Sequence, residues 1–135
     1  MVKAIFFSLI LSTMSCNNYC RLLGEQSFGN NFKLIESDKD HISIVYCTSK
    51  PCCDVGITIV PSNVVQTNFN KKWIIAKSKD SIKNSYWLID KGFKLKFEQD
   101  SNMKEKILSH VIGPLDSINF ILKVKEIGID LEFKK

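Results

Sequence analysis

The sequence predicts an α+β domain: an antiparallel, meander-like sheet of about six or seven strands, with one C-terminal helix packed on one face. Three observations carry that expectation. Short apolar runs recur along the chain and are separated by clusters of turn-forming residues. The run at residues 93–98 alternates most cleanly, with Phe93, Leu95 and Phe97 on one side and Lys94, Lys96 and Glu98 on the other. Near the C-terminus the apolar period changes from that of a strand to that of a helix, between Asp116 and Gly128.

Residues 17–31 are polar and rich in turn formers, the composition of a tether, so ordered structure is expected to begin near Phe32. Residues 32–36 and 42–47 read as two strands, and Ser37, Asp38, Lys39 and Asp40 between them favour a hairpin. Val55, Ile57 and Ile59 alternate with Gly56, Thr58 and Val60 in a third strand. Pro61 ends it, because proline has no N–H to offer a ladder. Val65, Thr67 and Phe69 mark one face of a fourth strand, and residues 73–77 form a fifth, close enough to pair with it. Residues 86–90 make a sixth; Lys91 and Gly92 then turn the chain into the 93–98 run. Residues 101–110 are read as either a short helix or a loop, and Val111 and Ile112 as a brief strand.

The last helix has defined ends. Asp116 is a good N-cap, since its carboxylate can accept from the free N–H groups of the first turn. Leu115 before it is placed to pack on Phe120 as a hydrophobic staple. Helical spacing puts Phe120, Ile121, Val124 and Ile127 on one stripe, read as core rather than as a partner groove and expected against Trp73, Trp87 and the 93–97 strand. Lys123 and Lys125 fall outward. Gly128 supplies the left-handed residue that stops the helix, and Ile129 beyond it is placed to touch Val124.

The N-terminus has the order of a secretory signal: Lys3, an apolar run at residues 4–11, then Ser12, Thr13, Met14 and Ser15 ahead of Cys16. Residues 1–15 are therefore expected to be a signal peptide, residues 16–31 a lipid-anchored tether and residues 32–135 a single domain. Cys16 is the candidate lipidation site. Ser15 fits the residues that usually precede a lipidated cysteine, whereas Thr13 and Met14 depart from them, so cleavage by an ordinary signal peptidase is the competing reading. A cytosolic chain with an apolar first strand is another. The apolar run is well short of the roughly twenty residues that span a bilayer, so attachment would rest on acyl chains, each buried CH₂ contributing about 0.8 kcal/mol. This places the expected location in the cell envelope, membrane-anchored and facing the periplasm or exterior.

With Cys16 acylated, Cys20, Cys47, Cys52 and Cys53 remain, an even number suited to disulfides in an oxidising compartment. Cys52 and Cys53 are adjacent and cannot readily bond to each other without straining the peptide between them. Cys47 is expected to pair with one of them, and Cys20 with the other. Free buried thiols are the first competing reading. A metal site with His41 as an extra ligand is the second, although a C-x4-C-C cluster lacks the paired C-x2-C spacing of structural zinc sites.

Composition bounds the function without naming it. A hydrophobic content of 44% and a charged content of 24% are ordinary globular values, so disorder is not expected. The net charge is +5, but the lysines are spread along the chain and Arg21 is the single arginine, so no nucleic-acid partner is expected. The two histidines, His41 and His110, lie in no motif that positions a nucleophile, and phosphate-loop, HExxH and EF-hand patterns are absent. No catalytic residue and no cofactor is expected. Trp73, Tyr86, Trp87, Phe93 and Phe97 are read as core, with a ligand-lining role as the alternative.

Four motifs carry a family resemblance: the Pro-ended strand of Ile59, Val60 and Pro61; the run Trp73, Ile74, Ile75, Ala76, Lys77; the run Tyr86, Trp87, Leu88, Ile89, Asp90; and Gly113, Pro114, Leu115 leading to Phe120 and Gly128. In these the chain resembles DUF3997, small bacterial lipoprotein-like domains of unknown function. The resemblance implies the fold and an envelope location and brings no catalytic residue. The cysteine cluster and a longer stretch at residues 91–109 depart from the family pattern. The function expected is a non-catalytic protein-interaction module on the envelope, an immunity protein against a secreted toxin being one form of it. The alternative is a lipoprotein that binds a small ligand or a metal.

Overall fold

In the computed structural model, which describes residues 20, 24–50, 52–95 and 102–135, the apolar runs form eight strands: β1 (Glu25–Gly29), β2 (Phe32–Asp38), β3 (His41–Cys47), β4 (Gly56–Val60), β5 (Val64–Phe69), β6 (Trp73–Lys79), β7 (Asn84–Asp90) and β8 (Val111–Leu115). Two helices lie wholly among the described residues, α1 (Met103–Leu108) and α2 (Ser117–Ile127). Every pairing is antiparallel and between consecutive strands, as a meander requires. The expected hairpin of β2 and β3 and the pairing of β5 with β6 are both present.

The strands do not make one sheet. They make two of four, in the orders β1-β2-β3-β4 and β5-β6-β7-β8, with the break after Pro61. The main core lies between them: Phe32, Ile44, Tyr46 and Val60 from the first sheet meet Ile74, Ala76 and Ile89 from the second, and Ile107 of α1 closes one end. Ile74, Ile75 and Ala76 are consecutive and all fully buried, as are Leu88 and Ile89. Side chains alternate across a strand, so such runs stay dry only where both faces of the sheet are covered. The second sheet is therefore the middle layer, with the first sheet on one side and α2 on the other.

Three expectations are corrected by this packing. Residues 25–29, expected within the tether, form β1, with Phe28 only 1% exposed and its ring 5.0 Å from that of Phe69. Burial of such a ring is worth about 1.5–3 kcal/mol, which holds an otherwise polar edge strand. Residues 91–95 are not in a strand; Phe93 and Leu95 keep their alternation with Lys94 but reach the main core from a loop, Phe93 lying 6.1 Å from Phe32 and 4.1 Å from His110 between ring centres. Phe97 lies outside the described residues. The third correction concerns α2. Its ends are as expected, with Asp116 accepting from the Asn119 N–H at 2.8 Å and Gly128 at φ 77°, where its N–H and that of Ile129 both reach the Val124 carbonyl at 3.0 Å. Its footing differs: Phe120 and Val124 pack with Ile75, Leu88, Trp73 and Tyr86, while Trp87 and Phe93 belong to the main core. Ile121, expected inward, is 62% exposed.

Lys91 joins the layers at one edge and is only 3% exposed. Its backbone N–H donates to Lys72 at 2.7 Å, its carbonyl accepts from the Asn30 side chain at 2.6 Å, and its ammonium donates to the Phe28 carbonyl and sits 5.1 Å over the Phe69 ring. Burial lowers its pKa.

Candidate functional site

Two places on the described surface combine unusual chemistry with defined geometry. The first is the outer side of α2. Its inward side is fixed by stacked rings, Tyr86 on Phe120 at 5.0 Å and Phe120 on Phe133 at 5.7 Å. The chain after Gly128 returns beside the helix, burying Ile129 and fastening the Glu132 carbonyl to the Asn68 side chain at 2.7 Å. Helix and returning chain leave an open groove of about 550 Å³ between them, with Ile75 and Phe120 at its floor and Ile121, Lys125 and Glu132 among its walls. Ile118, Ile121 and Leu122, at i, i+3 and i+4, are 70%, 62% and 58% exposed. They form a second apolar stripe that nothing in the described chain covers.

The end of that stripe is electrostatically marked. Hydrogen bonds from the Asn119 backbone and side chain hold the Asp116 carboxyl below its ordinary pKa, helped by the positive charge of Lys83 in the β6–β7 turn. That turn therefore neighbours the N-terminus of α2. It is braced by Asp80, which accepts from the Ile82 and Lys83 N–H groups at 2.9 and 2.8 Å, and it presents Ile82 95% exposed.

The second place is the cysteine cluster. Cys20 is bonded to Cys52, and Cys47 to Cys53, which resolves the pairing that the spacing leaves open. The register explains the second bridge: Cys47 is opposite Gly56, and the Cys53 sulfur lies 3.2 Å from where a Gly56 Cβ would stand. Glu25 on β1 reaches this cluster, a carboxylate oxygen lying within 4.8 Å of the Cys20 and Cys52 sulfurs. One of its carboxylate oxygens accepts from the Cys53 N–H at 2.7 Å, and the other pairs with Lys33 at 2.9 Å. Sequence reading missed Glu25, because its polar neighbours resemble a tether and only strand pairing brings it to the cysteines.

The other candidates do not converge. His41 pairs with Asp38 at 2.6 Å in the exposed β2–β3 turn, where that hydrogen bond raises the histidine pKa and lowers the carboxyl one. The imidazole is not part of the cysteine cluster. His110 lies 3.9 Å from Asp90 and stacks on Phe93. The aromatic set is divided between two clusters, Trp87 and Phe93 in the main core and Trp73 and Tyr86 beneath α2, so it does not line one pocket. Within the main core the Trp87 indole N–H donates to the buried Ser78 hydroxyl at 2.9 Å, which satisfies both groups. Cys16 lies outside the described residues, and among those described no helix is long and apolar enough to cross a membrane.

Neither a curated protein nor a solved structure matches the chain. A family profile does match, over residues 29–135, so that it takes in every strand from β2 onward, both helices and three of the four bridged cysteines while Cys20 and Glu25 precede it. The chain belongs to DUF3997, a family of proteins of unknown function.

Proposed function

We propose that this chain is a non-catalytic protein-interaction module held at the cell envelope through a lipid on Cys16, and that its docking surface is the outer side of α2. The observation that carries the reading is the exposed stripe of Ile118, Ile121 and Leu122 on a helix whose other side is already docked through Phe120. Large apolar side chains grouped on one exposed surface beside a groove are the mark of a binding site rather than of ordinary surface. The partner is a protein that offers an apolar segment to the stripe and groove; an immunity protein that caps a secreted toxin is one form of this arrangement. The groove volume also lies in the range of small-molecule sites, which makes a small apolar ligand the alternative reading.

The test is capture from the native envelope with the mature, anchored protein. Ile121→Asp and Leu122→Asp are expected to lose a partner that the wild type retains, with melting temperatures unchanged. Val55→Asp, at another exposed apolar position, is expected to retain it. Equal capture by all three variants overturns the proposed surface. A small molecule released from the purified wild type on denaturation, and absent from Ile121→Asp, favours the alternative.

A further inference from the structure

We propose that the reduced chain carries a site for zinc or another thiophilic divalent cation, made by Cys20, Cys52 and Glu25, and that forming the Cys20–Cys52 disulfide abolishes it. The two sulfurs and a Glu25 carboxylate oxygen all lie within 4.8 Å of one another. Tetrahedral zinc, with Zn–S near 2.3 Å and Zn–O near 2.1 Å, holds such donors about 3.6–3.8 Å apart. The two sulfurs are bonded to one another in this structure and move apart on reduction, while the Glu25 oxygen already lies within 4.8 Å of both. The set is not the one that the cysteine spacing suggests, since His41 is absent from it and a carboxylate from β1 takes part.

Charge and orientation support the same assignment. Two thiolates, one carboxylate and one divalent cation sum to a single negative charge, and the Lys33 ammonium 2.9 Å from Glu25 balances it. The Cys53 N–H, donating to the other Glu25 oxygen at 2.7 Å, fixes the carboxylate as outer hydrogen bonds fix the ligands of metal sites. A carboxylate oxygen has two lone pairs, so either contact leaves one for the cation. Three protein ligands leave the fourth position to water.

The exchange balances. A small-molecule disulfide accepts two electrons from the Cys20 and Cys52 thiolates, the Cys20–Cys52 bond forms, the oxidant leaves as two thiolates, and the cation is released. In the reverse direction a dithiol reduces the bond, and binding of the cation displaces the two thiol protons. The site is thus available in a reducing compartment and closed in an oxidising one.

The experiment uses the full-length protein, reduced with excess dithiol, freed of reductant under anaerobic conditions and titrated with cobalt(II). One cobalt per chain with thiolate charge-transfer absorption is expected, displaced by zinc; the oxidised protein shows neither. The Cys20→Ser/Cys52→Ser double variant loses the absorption, whereas Cys47→Ser/Cys53→Ser keeps it. Glu25→Gln weakens cobalt binding by at least about tenfold, the scale on which changes around a metal site act. Thermal melting of the reduced protein supplies a second readout: zinc raises the midpoint of the wild type and raises that of Glu25→Gln less. The proposal is overturned by reduced protein that takes up no cobalt, by equal affinity in Glu25→Gln, by absorption that depends on Cys47 and Cys53 instead, or by a reduced chain that zinc does not stabilise.

Discussion

Gly113 lies so close to Trp87 that a Cβ built on it would stand 2.7 Å from Cε3 of the indole and 2.8 Å from the Tyr86 carbonyl oxygen. Its φ of 146° is in addition one that side-chain-bearing residues rarely adopt. Gly113 is thus what lets β8 approach β7. Gly113→Ala is expected to destabilise the protein by about 1–3 kcal/mol, through backbone strain and overpacking together. Urea denaturation checks this; a variant as stable as wild type would mean that β8 does not pack this closely.

Phe120 and Ile121 are neighbours on α2 with opposite fates, one 8% and the other 62% exposed. Phe120→Ala removes a ring stacked between Tyr86 and Phe133, at an expected cost of about 3–5 kcal/mol. Ile121→Ala is expected to change stability by no more than about 0.5 kcal/mol. Denaturation of both variants measures the difference. Equal effects would contradict the footing of the helix.

The two disulfides close loops of different length, with sequence separations of 32 and 6. Restriction of the unfolded chain grows with loop length, so removing Cys20–Cys52 as a double serine variant is expected to cost about 4 kcal/mol and removing Cys47–Cys53 about 2 kcal/mol. Intact-mass analysis after alkylation of the unreduced protein is expected to find Cys20, Cys47, Cys52 and Cys53 all protected. Four free thiols there would refute the pairing.

The Asp38–His41 contact makes a pH signature. Because the hydrogen bond to Asp38 raises the His41 pKa, its stabilising contribution is complete below the ordinary value of 6.5 and is lost as pH rises through the higher folded value. The Asp38 pKa is lowered, so its contribution is present above the ordinary 3.8 and is lost as pH falls through the lower folded value. The contact is strongest between those limits, and salt weakens it because both groups are exposed. An NMR titration is expected to place His41 above 6.5 in the wild type and closer to 6.5 in Asp38→Asn. Identical midpoints would remove the pairing.

Anchoring is tested through Cys16. Metabolic labelling with a fatty-acid analogue is expected to mark the wild type and not Cys16→Ala, with the label in the membrane fraction. Equal labelling of the two contradicts lipidation at that residue.

Much of the local structure was legible because its causes are local. Pro61 ends β4 since it lacks an N–H, Asp116 and Gly128 bound α2 through their own caps, and the apolar runs mark β2, β3, β6 and β7. The family resemblance rested on those same runs. The candidate site was less legible: the four cysteines stood out as disulfide formers, but their partners, and the presence of Glu25 among them, depend on strands brought together from distant parts of the chain.

By itself, then, the sequence determined where the caps of α2 and the cores of β2 to β7 lie, that these strands pair as antiparallel neighbours, and that the family is DUF3997. Hydrogen-bond periodicity, caps and turn formers act over a few residues, which is why one chain read alone reveals them. Tertiary structure alone decided that the meander divides into two sheets, that Ile74, Ile75 and Ala76 are covered on both faces, and that Phe93 and Leu95 pack against the core from a loop. It also decided that Ile118, Ile121 and Leu122 face outward. Alternation says that one side of an element is apolar, whereas what covers that side depends on non-local packing around the whole core. The helical spacing of α2 offers two apolar stripes, and only the position of Tyr86, Leu88 and Phe133 selects Phe120 and Val124 as the buried one.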